Sequence, residues 1–162
     1  MKGDKKVIEY LNKGLKAELT AVTQYFLHAR MLDDWGVTKL GKHEYDESIE
    51  EMHHADRFIQ RILLLEGLPN LQQLDKLLIG ENVKEILECD LKLEHMGRDL
   101  YIEAAEYCVS VKDYVSYELF KTILADEEGH IDHLETQLEM IQNMGIEKYI
   151  MLQSSPITEQ EG

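Results

Sequence analysis

Two Glu-x-x-His pairs, Glu51 with His54 and Glu127 with His130, lie in separate long stretches of helical periodicity. Each helical step turns about 100° around the axis, so residues three apart share a face and each acid points the same way as its imidazole. Two further glutamates, Glu18 and Glu94, occupy apolar faces of the other two long stretches. The face of Glu18 carries Leu11, Gly14, Val22, Tyr25, Ala29 and Leu32, and that of Glu94 carries Val83, Leu87, Tyr101, Ala105 and Cys108. Around Glu51 stand Glu47, Ala55, Phe58, Ile62 and Leu65, and around Glu127 and His130 stand Phe120, Ile123, Ile131, Leu134, Leu138 and Ile141. Such stripes face a core, so all four carboxylates are expected inside. Without positive charge beside them they would be costly to bury or would hold protons. Two divalent cations balance four glutamates and two neutral histidines. Oxygen donors mixed with imidazole suit iron or manganese, and neither Cys89 nor Cys108 belongs to the set. A lone Glu-x-x-His is ordinarily a solvated face, but two copies with two buried glutamates reverse that reading. The predicted chemistry is therefore a dimetal site, with Glu18, Glu51, His54, Glu94, Glu127 and His130 as ligands and catalytic residues. Glu51 and Glu127 suit bridging roles, with Glu18 and His54 terminal on one side and Glu94 and His130 on the other.

The elements that must position these ligands are predicted as helices over roughly 5–34, 36–65, 82–111 and 114–143, with a short fifth over roughly 147–153. Asp4 can cap the first, Gly36 marks a break, Gly67 and Pro69 stop the second, Asn82 with Glu85 resembles a capping box, and Gly145 ends the fourth. Tight links make antiparallel hairpins of the first two and the last two long helices. The segment 66–81 is long enough to run the length of the bundle. Its Leu68, Leu71, Leu74, Leu77, Leu78 and Ile79 are expected to pack on the bundle, on a neighbouring subunit, or on both. One all-α domain over residues 1–162 is expected: a four-helix bundle with one long crossover.

Around the ligands, Tyr25 and Tyr101 share the inner faces seven residues from Glu18 and Glu94, where each can hydrogen-bond a ligand or donate an electron. Asp46 and Glu50 form an acidic pair off the main stripe, a candidate auxiliary iron site facing a cavity. Met52 lies away from the metal face, on a second apolar stripe with Tyr45, Ile49, Ile59 and Leu63 that reads as a partner surface. His28, His43, His53, His95 and His133 fall outside the primary site by phase and are expected mostly at the surface or edges.

The formal net charge of −15 over 162 residues weighs against nucleic acid as a partner. No stretch has the length and apolarity of a membrane span. The first residues lack a continuous apolar core or a cleavage signature, and two cysteines are too few for a disulfide framework, so a cytoplasmic setting is expected.

The stretches MKGDKKVIEYLN, QYFLHARM, ESIEEMHHAD, LEGLPNLQ, IGENVKEILECDL and DEEGHIDHLETQLEMI resemble the bacterioferritins, the haem-containing ferritins, over essentially the whole chain. The resemblance implies a ferritin-like fold and the same six dinuclear iron ligands. It also implies a 24-subunit shell built from twofold dimers, of one subunit type or mixed with a second. That shell would oxidise Fe(II) with O2 or H2O2 and store it as ferric mineral. Met52 would ligate haem b shared between two subunits, and a ferredoxin-type reductant would serve iron release. His133, where family members often carry tryptophan or another aromatic, and Phe58, where tyrosine is common, leave the ligands intact but break the carry-over of any electron path through those positions. Three competing readings fit less well. A non-turning-over scaffold leaves the complete ligand set unexplained, a rubrerythrin-like peroxidase needs Cys-x-x-Cys pairs, and a DNA-coating mini-ferritin needs a basic tail.

Overall fold

The computed structural model describes residues 1–154; Pro156 and the remaining C-terminal positions lie outside the described residues. Five helices follow one another, α1 (Lys5–Asp34), α2 (Thr38–Leu64), α3 (Val83–Ser110), α4 (Tyr114–Met144) and the short α5 (Ile146–Leu152). The described residues form no strand. Capping side chains start three of the long helices. Asp4 accepts from the N–H groups of Lys6 and Val7, Asn82 from that of Glu85, and Asp113 from that of Ser116. The Asp113 cap is itself held by Arg61 of α2 at 2.8 Å, which ties the two hairpins together at that end.

The second helix starts two residues later than its periodicity suggests. Gly36 takes φ of 83°, the Val37 N–H donates to the Leu32 carbonyl and the Gly36 N–H to that of Asp33, the paired bonds that close a helix around a left-handed residue. Only then can the chain reverse into α2.

The two hairpins, α1 with α2 and α3 with α4, pack along their lengths. They join chiefly through α1 against α3, with a lighter meeting of α2 and α4. The apolar core is split. One large cluster holds Leu11, Leu15, Phe58, Ile62, Cys108, Phe120 and Ile123 at one end, a second holds Leu32, Leu40, Ile86, Leu87, Leu134, Ile141 and Tyr149 at the opposite end, and Ala21, Tyr25 and Leu93 form a small third. Each such side chain, fully buried, contributes about 1.5–3 kcal/mol. Phe58, Tyr101 and Phe120 close the first cluster with ring centroids 5.4–6.0 Å apart. Gly14 admits this packing, since a Cβ there would come within 2.8 Å of the Phe58 ring. The four predicted carboxylates lie between the two larger clusters.

The crossover packs on its own bundle, laced to α1 by side chains. Asn12 donates to the Leu68 carbonyl and accepts from the Asn70 N–H, Thr20 accepts from Asp75, Gln24 from Leu78, and His28 from Gly80. These bonds satisfy a backbone with no ladder of its own. Leu68, Leu71 and Leu74 remain exposed. Gln24 works in both directions, since its amide nitrogen also donates to Asp90 at 3.0 Å. Gln24→Leu leaves the Leu78 N–H without its partner, with an expected loss of about 1–3 kcal/mol of stability. Denaturant unfolding measures the loss, and faster hydrogen exchange at Leu78 locates it.

Candidate metal centre

The ligand candidates recur at one constant interval in the chain, which separates Glu18 from Glu94, Glu51 from Glu127, and His54 from His130. Tyr25 and Tyr101, and Glu50 and Asp126, obey it too. Each hairpin therefore delivers an equivalent half-site to the middle of the bundle. Glu18, Glu51, His54 and Glu127 converge in one buried quartet, and Glu51, Glu94, Glu127 and His130 in a second, so that Glu51 and Glu127 belong to both. His54 Nδ1 lies 3.3 Å from Glu51 and 3.5 Å from both Glu18 and Glu127. His130 Nδ1 lies 3.4 Å from Glu94 and 3.6 Å from Glu51.

One polar atom of each of the six residues is buried without a hydrogen-bond partner: Glu18 Oε2, Glu51 Oε1, His54 Nδ1, Glu94 Oε2, Glu127 Oε1 and His130 Nδ1. Buried polar atoms are ordinarily paired, and six residues that each leave one unpaired while gathering in two buried quartets are compatible with a metal site. The remaining atoms are held in position. The Tyr25 hydroxyl donates to Glu94 and the Tyr101 hydroxyl to Glu18, both at 2.6 Å and both across from one hairpin to the other. His54 Nε2 sits 2.9 Å from Asp126, and His130 Nε2 sits 3.1 Å from Glu50 and 2.9 Å from Glu47. An acid at Nε2 keeps the proton there and leaves the Nδ1 lone pair free for a metal.

Burial and neighbouring carboxylates push Glu51 and Glu127 well above the ordinary carboxylate range. Burial would raise Glu94 as well, but its contacts with Glu127, His130 and Tyr25 outweigh it and lower the group. Burial alone would lower the histidines. Glu127 and Glu18 instead raise His54 to about 10, and Glu47 and Glu94 raise His130 to about 12. Without metal, protons do the neutralising.

The equivalent half-sites have different surroundings. Behind Tyr101 lie Gly14, Phe58 and Phe120. Behind Tyr25 lies a fully buried polar group in which His28 and Gln24 both bond Asp90, and Glu44 stands beside them. Burial, then Asp90, pushes Glu44 well above the carboxylate range. His28 thus departs from the surface or edge placement expected of it: it is completely buried, because Asp90 and the Gly80 N–H satisfy both of its nitrogens. Glu44 was readable in the sequence, since it lies two turns before Glu51 on the same face. Asp126 was readable as the residue preceding Glu127, as Glu50 precedes Glu51.

Asp46 is turned to Lys42 at 2.8 Å, and Glu50 faces His130. Met52 is 49% exposed, on the outer side of α2. His53 and His95 are exposed. A hollow of about 250 Å³ leads from the surface to Glu18, Glu51, Glu94 and Glu127, walled by Ala17, Leu93, Gly97 and Leu100. The ion pair of Lys16 and Asp75, 3.0 Å long, stands at its rim.

Bundle and site together define a ferritin-like protein, and the ferritin-like domain family matches residues 8–144. Similar proteins narrow the class. A bacterioferritin of Brucella melitensis is 56% identical over 99% of this chain and 100% of its own length. One of Rhodobacter capsulatus is 52% identical over 97% and 98%, and one of Streptomyces coelicolor 47% over 93% and 90%. The chain belongs to the bacterioferritin family.

Because coordination needs the Nδ1 lone pairs of His54 and His130, metal must displace protons held with pKa values of about 10 and about 12. Divalent metal binding at neutral pH is expected to release protons, and affinity to fall about tenfold per pH unit for each proton displaced as the pH is lowered. Calorimetric Zn(II) titrations in buffers of different ionisation enthalpy count those protons. Equal heats in all buffers would mean that the metal-free cluster holds none.

Proposed function

We propose that this chain is an iron-storage subunit that oxidises Fe(II) at the mid-bundle centre. The observation that carries the reading is the gathering of six buried acids and imidazoles in two quartets that share Glu51 and Glu127, each residue with one unpartnered polar atom. Fe(II) is the substrate and the rim hollow is its route. Glu18 and His54 hold one ion, Glu94 and His130 hold the other, and Glu51 and Glu127 bridge them. Four carboxylate charges balance two divalent ions, so binding removes the electrostatic cost of the empty cluster. Each Fe(II) gives up one electron, and the pair is taken by one O2, which leaves as H2O2 with two protons, or by one H2O2. Tyr25 and Tyr101 keep Glu94 and Glu18 aimed inward throughout, and Asp126 and Glu50 keep the imidazoles in the binding tautomer. Ferric product is stored as mineral inside a 24-subunit shell of twofold dimers in the cytoplasm.

The same reading includes haem b. Met52 presents a thioether in the middle of an outward apolar stripe with Tyr45, Ile49, Ile59 and Leu63, a surface suited to a flat apolar macrocycle shared with a second copy. Haem held there supplies a one-electron redox centre for iron release, with a ferredoxin-type protein as the reductant. Met52→Leu is expected to abolish the haem absorbance of the purified protein while leaving Fe(II) oxidation intact.

Anaerobic Fe(II) titration of metal-free protein, followed by oxidant and near-ultraviolet absorbance, tests the centre itself. Saturation near two irons per chain with rapid oxidation is expected, and loss of both in a Glu18→Ala, Glu94→Ala double variant. Weak, unsaturable binding with equal rates in both proteins would reduce the chain to a passive store. Asp126→Ala, which frees the outer nitrogen of His54, is expected to weaken metal binding about 10–100-fold.

A further inference from the structure

The hollow that reaches the dinuclear centre has a charged mouth. Of the charged side chains that line it, four are the buried glutamates at its foot, and the others are Lys13, Lys16 and Asp75. Lys13 is drawn aside, its Nζ 5.2 Å from the centre of the Tyr10 ring. Lys16 of α1 reaches instead to Asp75 of the crossover, Nζ to Oδ1 at 3.0 Å, with each side chain 35% exposed. The carboxylate is placed there through the backbone. The Asp75 N–H donates to Thr20 Oγ1 at 2.9 Å, and that hydroxyl donates at 2.7 Å to the carbonyl of Lys16 itself. One threonine therefore holds the two charged residues opposite each other.

As a brace between α1 and the crossover, a half-exposed ion pair contributes little, because water competes for both charges and a lysine chain is costly to hold still. Its position gives it consequence. The walls below it, Ala17, Ala21, Leu93, Gly97 and Leu100, carry no charge, and Asp75 is the one acid lining the hollow besides the four glutamates. A lysine standing unpaired at the mouth would repel a divalent ion twice as strongly as a monovalent one. Asp75 cancels that charge and holds an oxygen that an arriving cation can take in place of the ammonium.

We propose that Lys16 and Asp75 form a cation-exchange gate at the mouth of the hollow: a divalent ion displaces the Lys16 ammonium from Asp75, is held there by the carboxylate, and passes down to the four glutamates. The displaced ammonium swings out on its flexible four-carbon stem into water and returns to Asp75 once the ion has moved inward. The weakness of the pair is what this task requires, since a tighter one would keep the mouth shut. The gate favours divalent over monovalent cations, because the doubly charged ion competes better for the carboxylate. The inference rests on the reading of the hollow as the metal's route and assigns the step by which the ion enters it.

Stopped-flow mixing of metal-free, full-length protein with Co(II), followed by the visible absorption of the bound ion, gives the rate of entry, and titration to saturation gives the capacity separately. Wild type, Asp75→Asn and Lys16→Met are all expected to saturate at two Co(II) per chain, which shows that each folds with the dinuclear centre intact. Asp75→Asn leaves Lys16 unpaired at the mouth and is expected to bind about tenfold more slowly, with a rate that rises as salt screens the lysine. Lys16→Met leaves Asp75 free and is expected to bind faster than wild type, with a rate that falls as salt is added. Equal rates in the three proteins at a shared capacity of two overturn the gate and leave the centre standing, as does a Lys16→Met protein slower than wild type. A wild type that takes up no Co(II) overturns gate and centre together.

Discussion

Four carboxylates held within reach of one another at mid-height of a helical bundle repel strongly and are cut off from water, and the rest of the structure answers to that constraint. The two larger apolar clusters stop short of the acids, one on each side. Where α2 and α4 face each other, Glu51 and Glu127 meet at mid-height and the Phe58 and Phe120 rings pack towards one end. Two tyrosines hold Glu18 and Glu94 and the outer acids hold the far nitrogens of His54 and His130, so the six residues gather in the two buried quartets. A cluster arranged in this way is stable only with positive charge inside it, supplied either by protons on His54 and His130 or by metal.

The constant interval between half-sites produces near-twofold equivalence at the six acids and histidines and at the tyrosines and outer acids that hold them. The tyrosines cross over, Tyr25 to Glu94 and Tyr101 to Glu18, so each hairpin orients a ligand of the other. Beyond the tyrosines the equivalence ends. Phe58 and Phe120 back one half, and Asp90, Glu44 and His28 back the other. The two half-sites therefore have unlike dielectric surroundings, and an ion held by Glu94 and His130 would be the closer to groups that can carry charge.

The helices and the six inward-facing acids and histidines were legible in the chain because both express periodicity, which is local. Glu18 and Glu94 stand on their stripes as plainly as any leucine. The start of α2 was less legible, since periodicity continues through Gly36 while the backbone reverses there. The partners of the ligands were not legible, because they are contacts between distant stretches: Tyr25 finds Glu94, and Gln24 finds both Leu78 and Asp90. His28 shows the limit. Its phase sets it apart from the metal face, which is correct, but a second buried polar group, built from α1, α2 and α3 and completed by Gly80 of the crossover, is invisible to the pattern of any one helix. The crossover itself reads as apolar in sequence, and in the structure its attachment to α1 is mainly polar.

The division of the core has a further consequence. Leucine and isoleucine stripes tolerate sliding, because a helix moved along its neighbour by one turn, about 5.4 Å, still sets apolar groups against apolar groups. A carboxylate layer does not. Shifted by a turn, Glu51 would lose Glu127 and His130 and would face apolar side chains, while Tyr101 would lose Glu18. The layer that costs the bundle stability thus acts as its registration mark: like a single polar position in a coiled coil, it leaves one axial alignment of the four helices acceptable.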